Sequence, residues 1–394
     1  MKKTIIFFAM LACAAFANCS KNDDAGTGSE TKFPKDVASA ITDIAFRQYC
    51  FEHFDANNDG VISKDEALGV NVIELSDMNI YSLAGLEYFT NLRELKCDKL
   101  KITEVDISNN SVLSKFEFHN CHELKNVKLS EKLNTIPYRA FYGCTSLPSI
   151  TIPDSVKSIE ASAFFDCTGL KSVTTGKGLI SIDDSAFSNC TNLEKFYGES
   201  ASNDNYCLVL NGELRYIVRV GFPSRYTIQN GITSIGEKAF YYCNNLQSIT
   251  IPDSVTSIGT RAFDTCKVLT NVVFGNGIKT IGECAFINCT GLTSVTIPDS
   301  VNSIAASAFS SCSGLTNVTI GRGVTVISSF AFVNCSRLQR VYCRPTTPPK
   351  LYDNSTFAYA SLNEIYVPRA SVSAYKAAQG WSEYASQIVG YDFE

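Results

Sequence analysis

AFYYCNNLQSITIPDSVTSIGTR, residues 239–261, is followed at once by Ala262-Phe263, and the same frame starts again. Phe recurs at 141, 164 and 187, and then at 240, 263, 286, 309 and 332, with a step of 23 inside each group. A Cys stands three residues after each: Cys144, Cys167, Cys190, Cys243, Cys266, Cys289, Cys312 and Cys335. A Leu stands six after, as in Leu246, Leu269, Leu292 and Leu315. A short alternating run then follows, Ser248-Ile249-Thr250-Ile251 in the quoted copy, and Val255 and Ile258 close the unit. Alternation places Ile249 and Ile251 inside a strand and Ser248 and Thr250 outside. Ala262-Phe263 reads as a tight helical or 3₁₀ turn on the opposite wall. One such unit cannot bury its apolar side alone, whereas stacked units share one core. The expected fold is therefore a right-handed repeat solenoid of about 23-residue coils, mainly β, with a small helical N-terminal segment.

The step from Phe187 to Phe240 is 53, two repeats plus seven residues. Coils also alternate between Ile-Pro-Asp-Ser-Val (Pro153, Pro252, Pro298) and Gly-x-Gly (Gly176, Gly275, Gly321), with Gln229-Asn230-Gly231 in a Gly slot. The extra residues belong to a Pro-type coil near 199–225. There Asn211-Gly212 separates two apolar runs, a strong hairpin signal, so a β-hairpin is expected to protrude from or replace one turn segment. Residues 81–130 use a shorter leucine-rich step, and Phe118 and Cys121 already fall 23 before Phe141 and Cys144. The 23-residue repeats run over 131–343. Residues 344–394 read as a cap, with a last strand at 363–367, a short helix at 370–378, and Trp381 and Tyr384 closing the end of the core.

The frame AF-x-x-C-x-x-L followed by IP-x-SV resembles the BspA-like leucine-rich repeat proteins. The ending Tyr366-Val367-Pro368, Ser371-Val372, Ala374-Tyr375-Lys376, Trp381 and Tyr384 is similar to that family's closing segment. The resemblance covers about Leu83 to the end. It implies a surface protein used in adhesion to host or neighbouring-cell proteins, and it names no ligand, because such proteins share a scaffold and differ in what they hold.

Lys2 and Lys3 followed by the mostly apolar stretch 4–17 read as an export signal, too short to span a membrane. Cleavage after Ala17 is one route. The other is lipidation of Cys19, since Phe16-Ala17-Asn18-Cys19 resembles a lipobox, although Asn18 departs from the small residue usual there. The polar, acidic residues 20–34 then form a flexible tether. That stretch resembles the signal that sends some Gram-negative lipoproteins to the outer face. Residues 1–19 are thus a signal peptide, and the chain is expected to be exported, lipid-anchored at the outer membrane and surface-exposed. Its membrane contact would run through the N-terminal lipid alone.

Residues 35–80 carry the one sharp chemical motif. Asp55-Ala56-Asn57-Asn58-Asp59-Gly60-Val61-Ile62-Ser63-Lys64-Asp65-Glu66 fits the twelve-residue calcium loop of an EF-hand. Asp55, Asn57 and Asp59 supply side-chain oxygens, Val61 a carbonyl, Ser63 a water-mediated contact and Glu66 a bidentate carboxylate, while Gly60 permits the sharp turn. Residues 37–54 read as the entering helix, with Ile41, Ile44, Ala45 and Phe51 on one side, and 65–68 as the start of the exit helix. EF-hands usually pair, and no second loop is visible. A weak structural calcium ion is therefore the expected cofactor.

Sixteen Cys in an exported chain raise the question of disulfides. Eight stand in register, with Cys121 as a ninth, so their side chains point the same way and act as small buried hydrophobes. Cys207, Cys284 and Cys343 lie off that ladder. His119-Asn120-Cys121-His122 reads as a turn. The net charge of −5 argues against nucleic acid. Three His, with no GxSxG, phosphate loop or HExxH, give no catalytic centre to name.

The outward strand positions, from Ser149 and Thr151 to Asn317 and Thr319, form a hydroxyl-rich face that lacks aromatic anchors. Arg215 and Arg219, with Arg225 nearby, could form an anion patch by the hairpin. Arg340, Tyr342 and Arg344 form the richest patch near the C-terminal end. The expected function is a non-catalytic, monomeric cell-surface lipoprotein that holds an extracellular protein. The alternative is a glycan-binding accessory lipoprotein, favoured by exposed aromatics beside the hairpin. A hydrolase would need a carboxylate pair in a cleft.

Overall fold

A computed structural model describes residues 33–393, which form one compact unit. The signal, Cys19 and most of the tether lie outside the described residues. The unit is a solenoid of coils with three sides, and little of it is helical. One side, the long-strand wall, is built of parallel strands, mostly of three or four residues, in register: Ser149 faces Ser172, Ser248 faces Asn271 and Asn317 faces Arg340. Ile249 and Ile251 are buried, while Ser248 and Thr250 reach the surface. The second side is built from two-residue strands such as Ser257-Ile258 and Thr280-Ile281. The third side carries the Ala-Phe pairs in hydrogen-bonded turns rather than helix. It is stitched by Phe N–H groups donating to the Ala carbonyl one coil on, Phe141 to Ala163 and Phe263 to Ala285, both at 2.7 Å.

The Phe rings form two central stacks. Phe118, Phe141, Phe164 and Phe187 make the first. Phe240, Phe263, Phe286, Phe309 and Phe332 make the second, with neighbouring centroids 4.7–5.3 Å apart. Phe357 extends the second stack by one ring beyond the 23-residue phase, because the Pro-rich segment lengthens that coil. Every described Cys is buried and none is in a disulfide. The ladder thiols are more than fillers: Cys144, Cys167, Cys266, Cys289 and Cys312 each donate to the carbonyl of a Phe 26 residues earlier at 3.0–3.1 Å. Cys207 and Cys343 are buried against the hydroxyls of Tyr226 and Tyr375.

The Pro/Gly alternation has a steric cause. Gly275 lies flat on the Pro-Asp turn of the coil before it, where a Cβ would stand 2.5 Å from the Pro252 carbonyl carbon. Gly176 and Gly321 are pressed in the same way onto Pro153 and Pro298. The Asp of that turn accepts the N–H between the two glycines, Asp253 from Asn276 and Asp299 from Arg322.

Cys207–Leu210 and Glu213–Ile217 form the antiparallel hairpin, turning at Asn211 and Gly212, both at positive φ. It occupies a place in the short-strand wall, with Glu213 facing Ser234 and Leu214 facing Ile235.

At the N-terminus the entering helix is shorter than residues 37–54. A 3₁₀ turn, Val37–Ala40, ends before Asp43, which caps a helix Ile44–Phe54 by accepting from Phe46 N–H. The cap turns Ile44 out to solvent, 80% exposed, while Ile41 is fully buried. Lys64–Gly69 is the exit helix. The first rung is Val72–Ser76, upstream of residue 81, paired with Glu94–Asp98. At the other end Glu364–Pro368 is not the last strand, because Ile388–Tyr391 adds one more parallel rung beside it. Trp381 is fully buried against Phe357, and its indole N–H donates to the Pro349 carbonyl at 2.7 Å.

Candidate binding surface

The five sequence-predicted patch residues fall in two places. Arg340 and Tyr342 point outward from the last strands of the long-strand wall, and Arg344 follows them, within 3.8 Å of Asp299. Arg215 and Arg219 lie by the hairpin instead. Arg215 is largely buried, pairing with Asp184 and, at 3.1 Å, with Glu213, so it is an internal structural cation. Arg219 donates to the Tyr241 carbonyl at 2.6 Å. Arg225 is exposed on its strand.

The long-strand face does carry aromatic anchors, contrary to the sequence reading: Tyr197 stands alone on the strand before the hairpin, and the others gather at the C-terminal end. Strand pairing sets Tyr342 beside Tyr366 in register, with rings stacked at 4.8 Å and nearly parallel. Tyr391, on the extra rung, packs edge-on against both, and Phe393 packs against Tyr391 at 4.9 Å. Arg340 pairs with Glu364 at 3.5 Å, and Glu364 accepts the Tyr366 hydroxyl at 2.7 Å, which raises the pKa of that phenol. Arg369 grips Asp392 with two nitrogens, at 3.0 and 2.8 Å, and Asp392 is held below its ordinary pKa. An open depression of about 590 Å³, edged by Arg322, Arg344, Arg369, Tyr391 and Phe393, continues the patch. The sequence signal for Tyr366 and Tyr391 was the outward phase of the final strands. It is masked because the coil step lengthens from Tyr342 to Tyr366 and again to Tyr391. Tyr342 and Tyr366 close one face of each other's ring by stacking.

In residues 55–66 the turn is set by Asn58 and Gly60, both at positive φ. Asp55 accepts from the N–H groups of Asp59 and Gly60, Asn57 from Asp59, and Asp59 from Val61. Glu66 is turned onto Ala56 N–H and onto Ser63, where a capping box forms. Those hydrogen bonds, led by the Ser63 backbone, hold its pKa low. Among the described residues no three His, Cys, Asp or Glu side chains converge as a metal site. Ile62 is held by the N-terminal segment: its N–H reaches Asp36 at 3.0 Å and its carbonyl takes Val37 N–H at 2.8 Å. In the His119–His122 stretch, His119 lies 2.9 Å from Asp98 and His122 is bonded to the Gly143 carbonyl.

Comparison with known proteins places the repeats. Residues 90–207, 224–339 and 265–378 match the BspA type leucine rich repeat region, in six copies. A leucine rich cell surface protein from Faecalibacterium prausnitzii is 28% identical, with 69% of this chain and 79% of that chain covered and a TM-score of 0.47. The pneumococcal vaccine antigen PcpA is 16% identical, with 82% and 85% covered and a TM-score of 0.54. A leucine-rich repeat protein from Eubacterium ventriosum is 20% identical, with 76% and 92% covered and a TM-score of 0.48. No curated protein matches. The chain belongs to the BspA-type leucine-rich repeat family.

Proposed function

We propose that this protein is a non-catalytic scaffold at the cell surface that holds an extracellular protein at the C-terminal end of its long-strand face. The observation that carries the reading is the cluster of Tyr342, Tyr366, Tyr391 and Phe393 beside Arg340, on a face whose neighbouring coils present mainly Ser, Thr and Asn. Tyr and Arg are the residues that dominate protein interfaces. Tyr hydroxyls beside the Arg340–Glu364 pair give the cluster the mixed aromatic and charged make-up of a protein interface. Binding of the exported protein to a panel of immobilised matrix proteins, beside a glycan array, tests this. Tyr366→Ala with Tyr391→Ala should abolish capture of a protein. Capture that survives both changes, or binding to glycans alone, overturns the reading.

The export and anchoring of the chain are part of the proposal, supported by the charged and apolar order of residues 1–17 and by Cys19. Labelling with palmitate that persists in Cys19→Ala would reject the lipid anchor.

Calcium is proposed for residues 55–66 as a structural ion. The order of oxygen donors, the left-handed turn and the bracing of Ile62 support it. To close on an ion, Glu66 must give up its bonds to Ser63 and Ala56, so the site is weak, on the order of 10⁻⁴–10⁻³ M. At about 1 mM calcium such a site adds roughly 0.4–1.4 kcal/mol. Calorimetric titration should give heat that Glu66→Gln removes; the absence of any heat rejects the ion.

A further inference from the structure

Between Phe187 and Phe240 the turn wall loses one rung. In the regular coils each turn offers N–H groups to the next coil and carbonyls to the previous one. Phe164 donates to Ala186 at 2.8 Å and Asp166 to Ser188 at 3.0 Å; beyond the break Phe240 donates to Ala262 at 2.8 Å and Tyr242 to Asp264 at 2.9 Å. The coil that should follow Phe187 sends its residues into the hairpin instead, so its turn is missing. Among the described residues, the N–H groups of Phe187 and Asn189 therefore meet no acceptor, and the carbonyls of Glu237 and Ala239 on the opposite lip meet no donor. The thiol ladder breaks at the same point: Cys243 has no Phe carbonyl to reach and donates to the Asn245 side chain at 3.3 Å.

What remains is a slot of about 130 Å³ between the two lips. Tyr216 lies along its floor, edge-on to Phe187 at 5.6 Å and bonded to the Asp183 carbonyl. The charges are unevenly matched. Arg215 is taken by Asp184 and Glu213, and Lys238 by Glu237 at 2.8 Å. Arg219 is bonded to a carbonyl and makes no ion pair among the described residues.

We propose that this slot captures a short peptide segment bearing a carboxylate, whose backbone takes the turn conformation of the missing rung. A donor lip and an acceptor lip, each with groups two residues apart, match a peptide folded like the wall's own turns, which accept on one side and donate on the other, whereas a β-strand mixes N–H and carbonyl groups on each edge. A sugar or a nucleotide has no such pattern. Arg219, which lines the slot, offers a guanidinium to a carboxylate. This inference does not rest on the aromatic patch, which lies at the C-terminal end of the repeats while the slot lies near their middle.

The test uses the full chain, hydrogen exchange and a library of N-acetylated tetrapeptides with free or amidated ends, with acetate alone as control. Without peptide, the amides of Phe187 and Asn189 should exchange at least tenfold faster than those of Phe164 and Asp166. An acidic tetrapeptide should slow both at least tenfold. Arg219→Ala should weaken that peptide at least tenfold while leaving Phe164 exchange unchanged, and Arg219→Lys should restore part of the affinity. Binding only with free ends assigns the carboxylate to a chain terminus; equal binding of amidated Asp or Glu peptides assigns it to a side chain. The proposal is overturned if the two amides are already protected, if no tetrapeptide at millimolar concentration protects them, or if acetate alone does so.

Discussion

Phe286 has its ring 4.8 Å from Phe263 and 5.1 Å from Phe309, fully buried, with its N–H on the Ala308 carbonyl. Removing it opens a cavity that neighbouring coils cannot close, since their spacing is fixed by the backbone ladder. Phe286→Ala should cost about 3–5 kcal/mol in denaturant unfolding. The thiols add a second residue-scale expectation. Burial pushes the thiols of Cys121, Cys167 and Cys335 up to about 12, against an ordinary value near 9. A raised folded-state pKa means that the stabilisation is fully present below about pH 9 and is lost as pH climbs toward 12. Each such thiol then subtracts about 1.4 kcal/mol per pH unit in that window. Thermal midpoints should fall steeply above pH 9, and Cys167→Ala should flatten the slope. The positions of Phe and Cys were legible because the 23-residue step repeats them. The bond that most ladder thiols make to a Phe carbonyl was not, because it joins residues 26 apart, on neighbouring coils, at an angle that no spacing reveals.

At the scale of the coil, the alternation of Pro and Gly is a packing rule. A Cβ at Gly275 would meet backbone atoms of Pro252 and Asp253, which cannot yield as a side-chain tip can. Gly275→Ala should therefore cost about 1–3 kcal/mol by overpacking, read as a lower denaturation midpoint. The sequence displayed this two-coil rhythm without its cause. Asn211-Gly212 likewise marked a turn, while the empty rung beside it was hidden, because the pairing of Glu213 with Ser234 is a choice between walls made in three dimensions. The helix boundary at Asp43 shows the same limit: apolar spacing runs through residues 37–54, yet the Asp43 side chain caps a new helix and turns Ile44 to solvent.

Over residues 33–393 the coils share one core, and an open end of that core must be covered. Trp381 does this by lying against Phe357 and Tyr375 while its N–H is held by Pro349. Trp381→Ala should cost about 3–5 kcal/mol. It should also speed hydrogen exchange in residues 340–393 before the central coils respond. The capping aromatics were visible in the sequence. The binding patch was only half visible, as Arg340, Tyr342 and Arg344, because Tyr366 and Tyr391 join the face through rungs that depart from the 23-residue step. The central claim is that each 23-residue step advances the chain by one strand spacing, about 4.8 Å. Spin labels on cysteines introduced at Arg340 and, in turn, at Asn317, Ser294, Asn271 and Ser248 measure this directly, since the native thiols are buried. The account predicts label separations that grow in equal steps of about 4.8 Å, to roughly 19 Å at Ser248; separations that do not increase evenly with each repeat would contradict it.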